Sequence, residues 1–126
     1  MLNQKILVID DDHWLRKMFC IRLRSEGYEV EDAATGRLGF EKAKEFVPDL
    51  ILSDLEMEGD NGIETLKWLK GNSATRAIPV LMISANTAME TRAEALTYGA
   101  VDYIFKPILP QFLISRIKFY LNQRRN

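Results

Sequence analysis

Lys5-Ile6-Leu7-Val8-Ile9-Asp10-Asp11-Asp12 is a short apolar run, rich in β-branched residues, that stops abruptly in three aspartates. With no alternation of polar residues along it, the run reads as a strand over residues 5–10 buried on both faces, the habit of a parallel sheet covered by helices on each side. The chain beyond it repeats one theme. Leu15, Phe19 and Leu23 recur every four residues, with Met18 beside them, so residues 12–26 read as a helix that Gly27 ends. Residues 28–31 alternate apolar and polar (Tyr28, Glu29, Val30, Glu31), as a strand with one wet face does at a sheet edge. Thr35 is placed to cap a second helix with Phe40, Ala43 and Val47 on one face, stopping near Pro48. Residues 49–54 form the third strand. A turn rich in glycine and acids over 58–62 leads into a helix aligned on Ile63, Leu66 and Leu69. Residues 79–84 are the fourth strand, 87–98 a helix closed by Gly99, 101–105 the fifth strand, and Leu113, Ile117 and Leu121 mark the last helix. Five strands each followed by a helix imply an α/β fold: a parallel sheet with right-handed crossovers and helices on both faces.

Composition narrows the function classes. The 126 residues suit one domain spanning 1–126, with 47% hydrophobic and 28% charged side chains. Lys and Arg total 17 against 18 Asp and Glu, and a net charge of -1 gives no general pull toward nucleic acid or acidic lipid. No apolar run approaches the length of a membrane span, and the run from Ile6 ends in acids rather than in a signal-peptide cleavage site. The single cysteine, Cys20, excludes an internal disulfide and suits a reducing cytoplasm; its setting in a helical pattern reads as a small packed side chain.

Ligands of such sheets bind outside the carboxyl ends of the strands, where the strand order reverses, so those ends are where chemistry is to be sought. The first strand ends in Asp10, Asp11 and Asp12, the third in Asp54, the fourth in Ser84 and Ala85, the fifth in Phe105, Lys106 and Pro107. Acids gathered this closely raise one another's pKa unless a cation joins them. A hard divalent ion such as Mg²⁺ keeps several of its waters and needs few protein ligands. Lys106 adds a point charge and Ser84 a hydroxyl donor. A carboxylate nucleophile with a cation, a lysine and a hydroxyl around it is the equipment of phosphoryl transfer, which asks for charge neutralisation and positioning.

The stretches Ile6-Leu7-Val8-Ile9-Asp10-Asp11-Asp12, Pro48-Asp49-Leu50-Ile51-Leu52-Ser53-Asp54, Pro79-Val80-Leu81-Met82-Ile83-Ser84-Ala85 and Asp102-Tyr103-Ile104-Phe105-Lys106-Pro107 together resemble the response-regulator receiver family of two-component signalling. The intervals from 54 to 84 and from 54 to 106 also agree with the single-domain chemotaxis receivers of that family. The resemblance covers essentially the whole chain. It implies a flavodoxin-like (βα)5 sheet of strand order 2-1-3-4-5. It further implies that Asp54 takes a phosphoryl group from the phosphohistidine of a sensor histidine kinase or histidine phosphotransfer domain. Asp11, Asp54 and the backbone carbonyl of Glu56 would ligate Mg²⁺ (or Mn²⁺), with Asp10 acting through a water. Ser84 and Tyr103 would form the switch, Tyr103 turning inward, and the Lys106–Pro107 bond would be cis. The surface of the fourth helix, fifth strand and fifth helix would signal to an output domain or a second copy. Glu56 and Asn86 would flank the path of the water that hydrolyses the aspartyl phosphate.

The sequence departs from the family pattern after Asp54, where Glu58 stands in the place of a customary proline, so Glu56 and Glu58 put two more acids beside the pocket. Because like charges beside a phosphate repel, Glu56 is expected to point to solvent or to pair with a cation such as Lys106. Ser84 replaces the commoner threonine and is freer at χ1. Asp12 reads as a helix cap, and His13, on the first helical turn, as an exposed residue without a catalytic part. Tyr103 is open to a plain core role as well as to switching. Phe112 and Phe119 lie off the buried stripe of the last helix and fit either covered spare area or an interaction face. Two other function classes compete. One is a pseudo-receiver that docks or dimerises without phosphorylation, which has no need to keep Asp10, Asp11, Asp54, Ser84 and Lys106 together. The other is a haloacid-dehalogenase-like phosphatase, which the Asp10-Asp11-Asp12 run suggests but which Trp14, standing where a threonine is needed, argues against.

Overall fold

Apolar runs without polar alternation need cover on both sides, and the chain supplies it with helices. A computed structural model describes residues 3–57 and 60–124. The elements run β1 (Lys5–Ile9), α1 (His13–Ser25), β2 (Glu29–Ala33), α2 (Gly36–Phe46), β3 (Leu50–Asp54), α3 (Gly62–Gly71), β4 (Val80–Ser84), α4 (Met89–Thr97), β5 (Asp102–Phe105) and α5 (Pro110–Arg124). A two-residue hairpin, Glu56–Met57 against Asp60–Asn61, stands between β3 and α3. In the five-stranded sheet the pairs are all parallel, in the order β2-β1-β3-β4-β5 that the family resemblance implies.

The period of two along each strand divides the core into halves. Leu7, Ile9, Ile51, Val80 and Met82 point to a layer completed by Ala43 of α2, Leu66 and Leu69 of α3 and Ala95 of α4. Ile6, Val8, Leu50, Leu52, Leu81 and Ile83 point the other way, onto Cys20 and Leu23 of α1 and Leu113, Ile117 and Leu121 of α5. The edge strand β2 has only Val30 and Ala33 buried, and its alternation follows from its one solvated face. Register then aligns the carboxyl ends: Ile9 opposes Ser53, Asp54 opposes Ile83, and Ser84 opposes Phe105.

Capping sets where the helices begin. Asp12 accepts a hydrogen bond from the Leu15 N–H at 3.1 Å, Thr35 from the Leu38 N–H at 3.1 Å, and Asn61 from the Ile63 N–H at 2.9 Å. Three expectations are corrected, two about helix boundaries and one about a helix face. Val47 does not lie on the buried face of α2; the helix stops at Phe46, and Val47 takes a left-handed φ of 48° and is half exposed, because Pro48 bars continuation. Met18 faces solvent, while Cys20, packed as its sequence setting suggests, and Leu23 are the buried residues of α1. The fourth helix begins at Met89 rather than at residue 87, since Asn86 turns the chain by accepting from the Ala88 N–H. The Lys106–Pro107 peptide is cis. No helix among the described residues is long and apolar enough to cross a membrane.

Candidate functional site

The carboxyl edge of the sheet gathers the acids that the sequence places at its strand ends. Asp10 follows β1, and its backbone N–H donates to Ala33 of β2 at 3.1 Å, which carries it one position beyond the strand into the edge. Its carboxylate accepts from the Asp12 N–H at 2.9 Å, and its carbonyl accepts from Arg16 Nη1 at 2.9 Å. Arg16 is itself held by Asp32, 2.8 Å from Nε. Arg16 is a contributor that sequence reading passes over; the only hint is its place one turn beyond the acidic cluster. Asp10 and Asp54 are almost wholly buried, while Asp11 is exposed. One carboxylate oxygen from each of the three lies within 4.8 Å of the others. That donor set, all oxygen and all anionic, fits a hard cation.

Burial governs the electrostatics. Removal from water, reinforced by the Asp10 charge, pushes the Asp54 carboxyl up to about 6 in spite of Lys106. Burial likewise raises Asp10 above the usual carboxylate range, opposed by the Asp12 N–H and the Lys106 charge. Lys106 Nζ stands 3.3 Å from Asp54 Oδ1. At that distance the contact is chiefly an ion pair, and among the described residues Oδ1 is a buried side-chain oxygen with no well-aligned hydrogen bond. A buried, half-neutralised carboxylate oxygen with a lone pair to spare is a competent nucleophile and a competent ligand.

The side of the pocket nearer α4 differs from expectation. Glu56 is exposed, as expected, but it does not pair with Lys106. Its carboxylate accepts from the Ser84 hydroxyl and, at 3.1 Å, from the Ala85 N–H. The physical reason is supply: Ser84 Oγ and the Ala85 N–H are donors at the end of β4 facing the hairpin, whereas Lys106 is committed to Asp54. Ser84, fully buried, also accepts from the Asn86 N–H at 2.9 Å. Tyr103 is buried, with its hydroxyl donating to the Asn86 carbonyl at 2.9 Å and its ring edge-on to Phe105. Asp12 serves as the α1 cap and His13 is exposed, 3.4 Å from an Arg16 nitrogen. Phe112 and Phe119 are half exposed. Glu58, the other acid expected beside the pocket, lies outside the described residues. The arrangement thus brings Asp10, Asp11, Asp54 and Lys106 together on one side, and Glu56, Ser84, Asn86 and Tyr103 on the other.

The model of the response regulator receiver domain family matches residues 6–118. The chain is 40% identical over 117 residues to the phosphate regulon transcriptional regulatory protein PhoB of Escherichia coli, which covers 93% of this chain and 51% of that protein. It is 38% identical over 125 residues to the DNA-binding response regulator MtrA of Mycolicibacterium paratuberculosis, covering 99% and 53%. The chain therefore spans about half the length of the curated relatives it matches. Two solved structures share the fold over nearly their whole length. The chemotaxis protein CheY4 of Vibrio cholerae has a TM-score of 0.90 at 33% identity, covering 94% of this chain and 99% of that one. A CheY-like receiver domain protein of Methanospirillum hungatei has a TM-score of 0.91 at 31% identity, covering 98% of each. With the match running from the first strand into the last helix, this chain belongs to the response regulator receiver family.

Proposed function

We infer that residues 1–126 act as a phosphorylation-controlled receiver in which Asp54 is the acceptor. The observation that carries this reading is Asp54 itself: a buried carboxylate whose Oδ1 has no well-aligned hydrogen bond, beside Lys106 and two further carboxylates. Asp10, Asp11 and Asp54 suit Mg²⁺ or Mn²⁺, with the Glu56 carbonyl completing the set. The bound ion supplies positive charge that neutralises the carboxylates and the incoming phosphoryl oxygens.

The chain's own residues do the rest. An Asp54 carboxylate oxygen attacks the phosphorus of a phosphohistidine on a sensor kinase or histidine phosphotransfer domain. The O–P bond forms as the P–N bond breaks. The electron pair of the broken bond stays on the imidazole, which carries a proton on its other nitrogen and leaves neutral. Lys106 holds a phosphoryl oxygen by charge, and Ser84 donates its hydroxyl to another. Tyr103 packs behind Ser84 and transmits its position to the surface made by α4, β5 and α5, where an output domain or a second copy would read it. Asn86 orients the water that later removes the phosphoryl group.

The test is intact-mass measurement after incubation with acetyl phosphate and Mg²⁺. The wild type should gain one phosphoryl group, and Asp54→Ala or chelation of the metal should abolish the gain. Equal labelling of wild type and Asp54→Ala would contradict the reading.

A further inference from the structure

Ser84 has one proton to donate, and in this structure Glu56 holds it. The same carboxylate oxygen takes the Ala85 N–H at 3.1 Å. These two donors, one fully buried hydroxyl and the next backbone amide, sit at the end of β4, beside the end of β3 that carries Asp54. They are the donors that an anion built on Asp54 would need. We propose that the Glu56 carboxylate is an internal substitute for the phosphoryl group, a gate that occupies the Ser84 and Ala85 donors until phosphorylation displaces it. The inference rests on the assignment of Asp54 as acceptor.

Three features support a device rather than an incidental contact. Glu56 sits on the short hairpin of Glu56–Met57 and Asp60–Asn61, which fixes its backbone directly beyond Asp54. Ser84 is locked from the other side: it accepts from the Asn86 N–H, and the Asn86 carbonyl accepts from Tyr103, which is buried. Glu56 is therefore linked to Ser84, Asn86 and Tyr103 in one connected hydrogen-bond chain, in which Tyr103 is already buried. Thirdly, there is room to release the carboxylate. A pocket of about 360 Å³ is lined by Glu56 itself together with Asn61, Asn86, Thr91 and Glu94; the amide and hydroxyl groups can receive a displaced side chain, on the side away from the Glu94 charge.

The gate has two consequences. Binding of a phosphoryl group, or of a mimic such as beryllofluoride, must break both hydrogen bonds to Glu56, so affinity is lowered. The effect passes through Ser84, which separates it from plain charge repulsion by an extra acid. A charge acts whether or not a hydroxyl is present at position 84; the part of the gate that runs through Ser84 acts only while that hydroxyl is there to hold.

A double-mutant cycle reads this. Beryllofluoride is titrated in the presence of Mg²⁺ into wild type, Glu56→Ala, Ser84→Ala and the double variant. Glu56→Ala should tighten binding about tenfold, the order of one charge-assisted hydrogen bond, and the gain should shrink to about threefold, the share left to the Ala85 N–H, when Ser84 is already alanine. An undiminished gain in the Ser84→Ala background would overturn the gate and leave charge repulsion as the cause. A second reading needs neither donor nor metal. In the free protein, the Ala85 amide proton should move upfield and exchange faster in Glu56→Ala than in wild type. An unchanged Ala85 amide would overturn the proposal. Failure of all four proteins to bind beryllofluoride would contradict Asp54 as acceptor, while the amide comparison would still judge Glu56.

Discussion

At the residue scale, three adjacent aspartates have three different environments. Asp10 is buried and hydrogen-bonded to the Asp12 N–H, Asp11 is exposed at the cluster of three carboxylates proposed to hold the cation, and Asp12 caps α1. Their substitutions should therefore separate. Asp11→Asn removes an anionic ligand and should weaken Mg²⁺ binding roughly tenfold or more, on the order of one charge-assisted interaction. Asp12→Ala should leave Mg²⁺ affinity near wild type and cost about 1 kcal/mol of stability through the lost cap. Paired metal titrations and thermal melts check this; a larger metal defect in Asp12→Ala would put the cluster one residue out of register. This division was legible in the sequence because a helix needs only one cap, which left two acids over. The partner of Glu56 was not legible. Charge alone suggested solvent or Lys106, and the donors that hold it, a buried hydroxyl and a backbone amide of β4, come together only through the pairing of Asp54 with Ile83.

At the element scale, the start of α3 determines how the loop after β3 is held. Gly62 donates its N–H to the Leu55 carbonyl at 2.8 Å. A Cβ there would come within 2.6 Å of Leu55 Cα and 2.7 Å of the Asp54 carbonyl oxygen. These are backbone atoms that cannot give way cheaply. Gly62→Ala should destabilise the protein by about 1–3 kcal/mol, as overpacking does, and should also weaken Mg²⁺ binding by moving the segment that carries Asp54 and Glu56. Denaturant unfolding with a parallel metal titration checks both effects; wild-type values for each would show that the contact is not tight. Sequence marks Gly62 only as a turn residue. The elements themselves were readable because the apolar runs of β1, β3, β4 and β5, the alternation of β2 and the helix spacings agree with one sheet covered on both faces. The boundaries at Val47 and Met89 were less so, since they depend on the Pro48 restriction and the Asn86 turn.

At the scale of the whole molecule, gathering buried carboxylates at one edge makes stability depend on pH and metal. The Asp54 carboxyl lies at about 6 in the folded protein against 3.8 for the ordinary group, and Asp10 is shifted in the same direction. Between these values the folded state binds more protons than the unfolded one, so stability falls as pH rises. Without metal, the contribution of Asp54 is fully present below about pH 4 and is lost as pH rises through about 6, a change on the order of 3 kcal/mol. Asp54→Asn should flatten that part of the profile, and Mg²⁺ should raise Tm at pH 7.5 but hardly at pH 4, where the Asp54 carboxyl is protonated. A metal-free Tm that climbs between pH 4 and pH 7 by the action of Asp54 would reverse the sign argued here.

The central claim, that Asp54 receives the phosphoryl group, is tested most directly by trapping. An aspartyl phosphate is an acyl phosphate, and borohydride reduces its carbonyl carbon, so the labelled aspartate becomes homoserine. After treatment with acetyl phosphate and Mg²⁺, reduction and peptide mass mapping should place homoserine at position 54 and leave Asp10, Asp11 and Asp12 intact. Homoserine at any of those three positions, with Asp54 unchanged, would contradict the account.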